Sequence, residues 1–381
     1  MKFASFFILI LISGLVEASV SWRGHNRVIS SRYYDNDWNS SFNQSLYNHR
    51  SEVLWNKDQW SLELAYEIFL SRNNYLDSYY KLSLNTDPFS YRFDDLNKFL
   101  AKKDLYQDKS WQILQNLDRF FITYTAEHFD LFIGRQAINF GSARMINPTN
   151  VLVPFDLVMI NMEQINGIDG IRGRVSLGEL SEIDLGLISG EKAGFISYKN
   201  SFSNWDTSFL FLLFNKNTLY GLDLQGSIGG VGTWFETAWV DLLKNEDSDY
   251  LTVSVGGEYL FENELNVFTE YHHNGAGTND ISNYNQTKLK TPFLDGSVYL
   301  LGKNYISFGG SYPVTPLKII TMQTMYNVKD QSILLTPKLE WNFKSDYYLN
   351  LGGHFTLGKT NPKSEFGDYP QVFYLLLRHF F

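Results

Sequence analysis

The last eleven residues, QVFYLLLRHFF (371–381), alternate along an extended chain and stop on an aromatic ring. Phe373, Leu375, Leu377 and Phe381 share one face with His379. Tyr374, Leu376 and Arg378 share the other, because successive strand side chains point to opposite faces. A soluble edge strand this apolar would offer unpaired N–H and C=O groups to any neighbouring chain. A closed membrane barrel has no such edge, since its last strand pairs with its first. The ending therefore predicts an all-β fold, a transmembrane antiparallel β-barrel.

At the opposite end, MKFASFFILILISGLVEA (1–18) has Lys2, an apolar run over 6–12, and Val16 and Ala18 at the spacing a signal peptidase reads. The run is shorter than the roughly 20 residues a spanning helix needs. No cysteine follows, which excludes a lipid-anchored N-terminus. Residues 1–18 are expected to be a signal peptide and 19–381 a single barrel domain.

Aromatic residues make up 17% of the chain, with 24 Tyr, 30 Phe and 9 Trp, more than one soluble core uses. Barrels place such residues in girdles at both membrane interfaces and on the lipid face. The absence of cysteine means that an exported chain of this length is held by something other than disulfides. A closed hydrogen-bonded sheet would serve. The net charge of −9 argues against a nucleic-acid partner.

Alternating segments of about ten residues recur from Arg23 onward. In QWSLELAYEIFL (59–70), Trp60, Leu62, Leu64, Tyr66, Ile68 and Leu70 oppose Ser61, Glu63, Ala65 and Glu67. In LTVSVGGEYLF (251–261), Leu251, Val253, Val255, Tyr259 and Phe261 oppose Thr252, Ser254 and Glu258. The series gives about 18 strands, with 16 the alternative count, and the even parity requires the segment 194–202 to be a strand. Counting back from the C-terminus, short turns near 127–130, 229–232, 262–264, 315–317 and 344–347 fall on the periplasmic side. Long connections at 71–118, 141–164, 275–304 and 359–370 fall outside. Both termini are then expected in the periplasm. The string FDDLNKFLAKKD (93–104) in the first long connection predicts a short helix, with Asp94 and Asp95 early and Lys102 and Lys103 late.

The C-terminal strand closing on Phe resembles the ending of Gram-negative outer-membrane barrels. FIGRQAINFGSARMINPTNVLVPFD (132–156) resembles a segment of porin-like outer-membrane proteins, on Gly134, Arg135, Gln136, Phe140, Gly141, Asn147, Pro148, Thr149 and Pro154. That pattern usually has Trp where Phe140 stands and Asp where Asn150 stands. The resemblance implies a pore in the cell outer membrane and folding by the barrel-assembly machinery through the C-terminal strand. It names no solute.

The same segment is too apolar for a loop in water: Met145, Ile146, Val151, Leu152, Val153, Phe155 and Leu157 need a surface to cover. The lumen is the nearest, so the segment is expected to fold inward and narrow a channel; packing beneath the outer loops as a lid is the alternative. Arg135, Arg144, Arg172 and Arg174, facing Asp156 and Glu163, would then set a transverse field at a pore constriction. An ordinary solvated charge network is the other reading of these residues.

Catalysis finds little support. His272 and His273 form the one tempting cluster, and adjacent strand residues point to opposite faces. No cofactor or metal site is expected. The expected function is passive diffusion of small hydrophilic solutes through an outer-membrane channel, with lipid and solutes as partners and either a monomer or a homotrimer as the assembly. The second reading is a closed barrel that works as a surface anchor or adhesin through its outer loops.

Overall fold

A computed structural model describes residues 18–35, 38, 41–73, 102–107, 110–153, 165–189, 193–243, 247–359 and 364–381. Nineteen strands form among them: β1 (Ser19–Tyr34), β2 (Ser41–Lys57), β3 (Trp60–Asn73), β4 (Lys102–Gln107), β5 (Trp111–Thr125), β6 (Phe129–Gln136), β7 (Ile168–Ser176), β8 (Ser181–Ile188), β9 (Ala193–Phe202) and β10 (Trp205–Phe214). The series continues with β11 (Asn217–Ile228), β12 (Val231–Asp241), β13 (Tyr250–Leu260), β14 (Asn266–Asn274), β15 (Asn304–Thr315), β16 (Lys318–Asn327), β17 (Ile333–Lys344), β18 (Tyr347–Leu357) and β19 (Gln371–Phe380).

All belong to one antiparallel sheet. β4 pairs with β5 beyond the end of β6, and β3 pairs with β5 directly, so β4 lies outside the ring of 19 − 1 = 18 wall strands. The ring closes where β19 meets β1, from His25 opposite Phe380 to Tyr34 opposite Gln371. Gly24 and Phe381 add a reciprocal pair of backbone hydrogen bonds at 2.9 and 3.1 Å. The last residue thus completes the wall and leaves no edge. Eighteen is the count the alternation gave, and 194–202 is a wall strand, β9.

The outward face is bare hydrocarbon: Ile171, Leu187, Ile196, Phe209, Leu213, Val255 and Leu351 are all exposed there. One end of the barrel carries tight connections. The glycines at 229 and 230, at φ 59° and 84°, turn β11 into β12 with the left-handed backbone such hairpins need. Longer connections leave the other end, including 275–303, which contains helical turns at Tyr284–Thr287 and Thr291–Leu294.

The start of β5 differs from the sequence reading, and a break in phase accounts for it. The wall begins at Trp111, so 111–118 are strand rather than loop. A bulge leaves Asp118 unpaired, with Ala65 opposite Arg119 and Tyr66 opposite Leu117. It reverses the alternation and turns both Asp118 and Arg119 inward. Lys102 and Lys103 lie in β4, where the string suggested a helix end. The rest of that string up to 101 lies outside the described residues.

Inside, one sector is apolar rather than polar. Ile188, Phe195, Leu210, Leu212, Phe214, Leu219, Ala238 and Val240 on β8–β12 point inward and are buried. The run FLFLLF (209–214) is apolar on both faces because lipid covers one face and protein the other.

Candidate functional site

What covers that sector is the segment after β6. The chain leaves the wall at Gln136. Ile138, Phe140, Val151, Leu152 and Val153 then pack into one cluster with the inner faces of β8–β12. Leu152, Leu212 and Leu219 are fully buried, and burial of each such side chain stabilises by about 1.5–3 kcal/mol. Apolar packing holds the segment against the wall, and hydrogen bonds fix its register.

Two wall carboxylates supply most of those bonds. Glu236 on β12 is completely buried and accepts from Ser142 N (3.1 Å), Ala143 N (3.1 Å), Asn147 Nδ2 (3.2 Å), Thr149 N (2.8 Å) and Thr149 Oγ1 (2.7 Å). Glu270 on β14 accepts from Arg144 N (2.8 Å), Met145 N (3.2 Å), Ile146 N (3.0 Å) and Trp234 Nε1 (3.0 Å). Burying a carboxylate is costly unless donors surround it, and a loop's buried N–H groups are costly without acceptors. Each solves the other's problem. Gly141 is required here: its φ is 89°, and a Cβ would collide with the Glu236 carboxylate.

These contacts place the segment across the bore. β12 lies six places around an eighteen-strand ring from β6, and β14 eight places. The chain then returns. Asp118 Oδ1 accepts from Gly167 N at 3.0 Å, and Arg119 Nη2 donates to Ile165 O at 2.5 Å. The bulge at Asp118 is what brings both anchors to the inner face. Residues 154–164, between the two attachments, lie outside the described part.

The arginines singled out by sequence divide into three groups. Arg144 sits on the inward segment, bonded to Glu258 at 2.7 and 3.1 Å with its guanidinium 5.2 Å from the Trp234 ring centre. Its side chain is 35% exposed and that of Glu258 28%, so both charges face the bore. Arg135 donates to Gly167 O at 3.3 Å and lies 3.5 Å from Asp169. Arg172 makes a two-pronged contact with Asp184 at 2.8 and 2.5 Å, while Arg174 stands 3.9 Å from the same carboxylate and over Phe132. The expected counter-charges Asp156 and Glu163 lie outside the described residues; the partners observed are Glu258, Asp169 and Asp184. Arg172 is therefore a paired, buried cation and not an open rung of a charge ladder.

Sequence reasoning singles out neither Glu236 nor Glu270 as an anchor. The signal for Glu236 was available: TWFETAWV (233–240) carries one acid in an apolar, aromatic strand, where an unpartnered charge would be costly. On the opposite wall, Arg50 contacts Glu52 (2.6 Å), Glu67 (3.1 Å) and Asp118 (2.6 Å). The two adjacent histidines do face opposite ways. His272 points inward and meets Ser254 Oγ at 2.8 Å, and His273 points outward to Asn304. Ser254 also bonds Ile146 O at 2.7 Å and is completely buried, so the pair pins the loop and presents no open hydroxyl.

No family model matches the chain, and no curated protein matches it in sequence. Solved structures match across nearly its whole length. Acinetobacter baumannii OccAB4 superposes with a TM-score of 0.62 at 9% identity, covering 96% of this chain and 98% of its own. Pseudomonas aeruginosa OccK5 (OpdH) follows with 0.59 at 9% identity and the same coverage, and Pseudomonas aeruginosa OpdL with 0.58 at 9%, covering 95% and 99%. The fold is that of outer-membrane porins. At this identity the likeness concerns the architecture, and the eighteen-strand closure accounts for it.

Proposed function

We propose that this chain is a channel in the Gram-negative outer membrane that admits small hydrophilic solutes by passive diffusion. In this reading the segment after β6 is the pore constriction, and Arg144 with Glu258 forms its charged rim. The observation that carries the reading is the crossing of the bore: one segment attached to Glu236 and Glu270 on one side and to Asp118 and Arg119 on the other. An anchor has no use for a loop tied across its lumen, whereas a channel needs a narrow point of fixed geometry. Export through the N-terminal signal, folding by the barrel-assembly machinery and periplasmic termini belong to the same proposal, since the tight turns, the start of β1 and the end of β19 lie at one end of the barrel.

Packing of Tyr299 and Leu300 of the outer connection in one cluster with Met145 and Ile146 favours one alternative, a barrel closed at rest and used as a surface anchor. Reconstitution into a planar bilayer separates the two. A channel gives stepwise conductance at neutral pH. A permanently closed barrel gives none while remaining heat-modifiable on a gel.

A further inference from the structure

At the long-loop end, three connections meet on one buried carboxylate. Glu365, between β18 and β19, is 2% exposed and accepts from Leu301 N (2.7 Å), Gly302 N (3.3 Å), Tyr305 Oη (2.5 Å) and Asn327 Nδ2 (2.7 Å). A second buried carboxylate adjoins it: Asp330, in the β16–β17 turn, accepts from Glu365 N at 2.6 Å, Tyr284 Oη at 3.1 Å and Ser332. Asn327 also donates to Tyr284 Oη at 3.1 Å. Among the described residues no cation enters this cluster; Lys288 pairs with Asp368 at 3.6 Å, both part-exposed.

The cluster is coupled to the bore. Leu300, Tyr305 and Phe366 form one hydrophobic group with Ile146, and Met145 packs against it. Whatever fixes Glu365 therefore holds the outer connections down on the inward segment. We propose that Glu365 is a proton-operated latch that closes these connections over the channel as the pH falls.

The sign follows from the surroundings. Burial, and then the charge of Asp330, push the Glu365 carboxyl up to about 7, and Tyr284 moves upward too, first through burial. A carboxyl that binds its proton more tightly in the closed arrangement than in open solution favours closure at low pH. That preference is fully present below the ordinary carboxyl range and is lost as the pH rises through about 7. A one-proton latch with this midpoint changes the closed-to-open ratio about tenfold between pH 8 and pH 6.

The latch rests on the channel reading, and one experiment separates their failures. Single-channel recordings of the full chain in a planar bilayer at pH 6, 7 and 8 should show closed dwell rising about tenfold toward pH 6. Glu365→Gln should remain closed-biased with less than twofold change across the range. Asp330→Asn, which removes the neighbouring charge, should move the midpoint to lower pH, and it decides the matter if the first variant does not fold. Conductance with an unchanged tenfold response in Glu365→Gln, with a flat wild-type response, or with an unmoved midpoint in Asp330→Asn overturns the latch and leaves the channel standing. No conductance at any pH overturns both.

Discussion

Thr149 and Glu236 meet twice, the backbone N–H and the hydroxyl of one residue donating to a single oxygen of the other at 2.8 and 2.7 Å. The contact joins a wall strand to a segment that left the wall six strands away. It ties together an inward-folded loop, an acid buried in an apolar sector, and the Asn-Pro-Thr string that gives the loop its resemblance to porins.

Replacing Glu236 with Ala should free the segment without unfolding the wall. Hydrogen bonds to charged groups contribute about 1.5–3 kcal/mol each, and five donors lose their acceptor at once. Trypsin should then cut after Arg144 in the variant many times faster than in the parent, at equal heat stability of the barrel. Equal cleavage rates would show that the apolar contacts alone hold the loop.

The two wall faces should respond differently to charge. Val255 is 42% exposed on the outer face, and Arg there should cost about 2–4 kcal/mol in a lipid-refolding titration. Gln323, on the inner face of β16 and only partly buried, should accept Arg at well under half that cost. A similar loss at both positions would contradict the assignment of faces.

Arg172→Glu should be among the most damaging single changes in the lumen. It leaves the fully buried Asp184 without its two-pronged partner and adds a second negative charge, and breaking a buried pair costs about 3–5 kcal/mol. Arg174→Glu, further from Asp184 and one-third exposed, should be milder. The check is the urea midpoint of refolded barrels; the reverse order would mean that Asp184 is satisfied by other groups.

Arg144→Glu should move ion preference toward cations, because charge at a constriction sets selectivity. Reversal potentials in a salt gradient report it. The shift should shrink at high salt, where the Debye length falls to about 3 Å at 1 M. A shift of the same size at every salt concentration would place Arg144 away from the conduction path.

Much of this was legible in the sequence because a barrel writes its fold in alternation. Val255 reads as outward from period two alone, and Phe381 reads as a closing residue from its place at the strand's end. Alternation fails where the backbone breaks phase. The bulge at Asp118 hid eight residues of β5 together with the pair of anchors it creates. Period two also assigns a face without saying what lies against it. Ser254 reads as lumen-facing, yet the loop buries it completely. The inward fold of 137–153 was legible from its apolar excess, but its landing place was not. That depended on Glu236 and Glu270, more than eighty residues away in sequence and matched to the loop only through three-dimensional register.

The central claim is that the segment after β6 lies in the path of conduction, and the absence of native cysteine allows a clean test. With Arg144→Cys in a single conducting channel, addition of a bulky cationic methanethiosulfonate should produce one discrete, irreversible fall in current. A reducing agent should restore the current. Complete modification, verified by mass, with the current unchanged would contradict the account, because a residue at the constriction cannot gain that bulk and charge without altering ion flow.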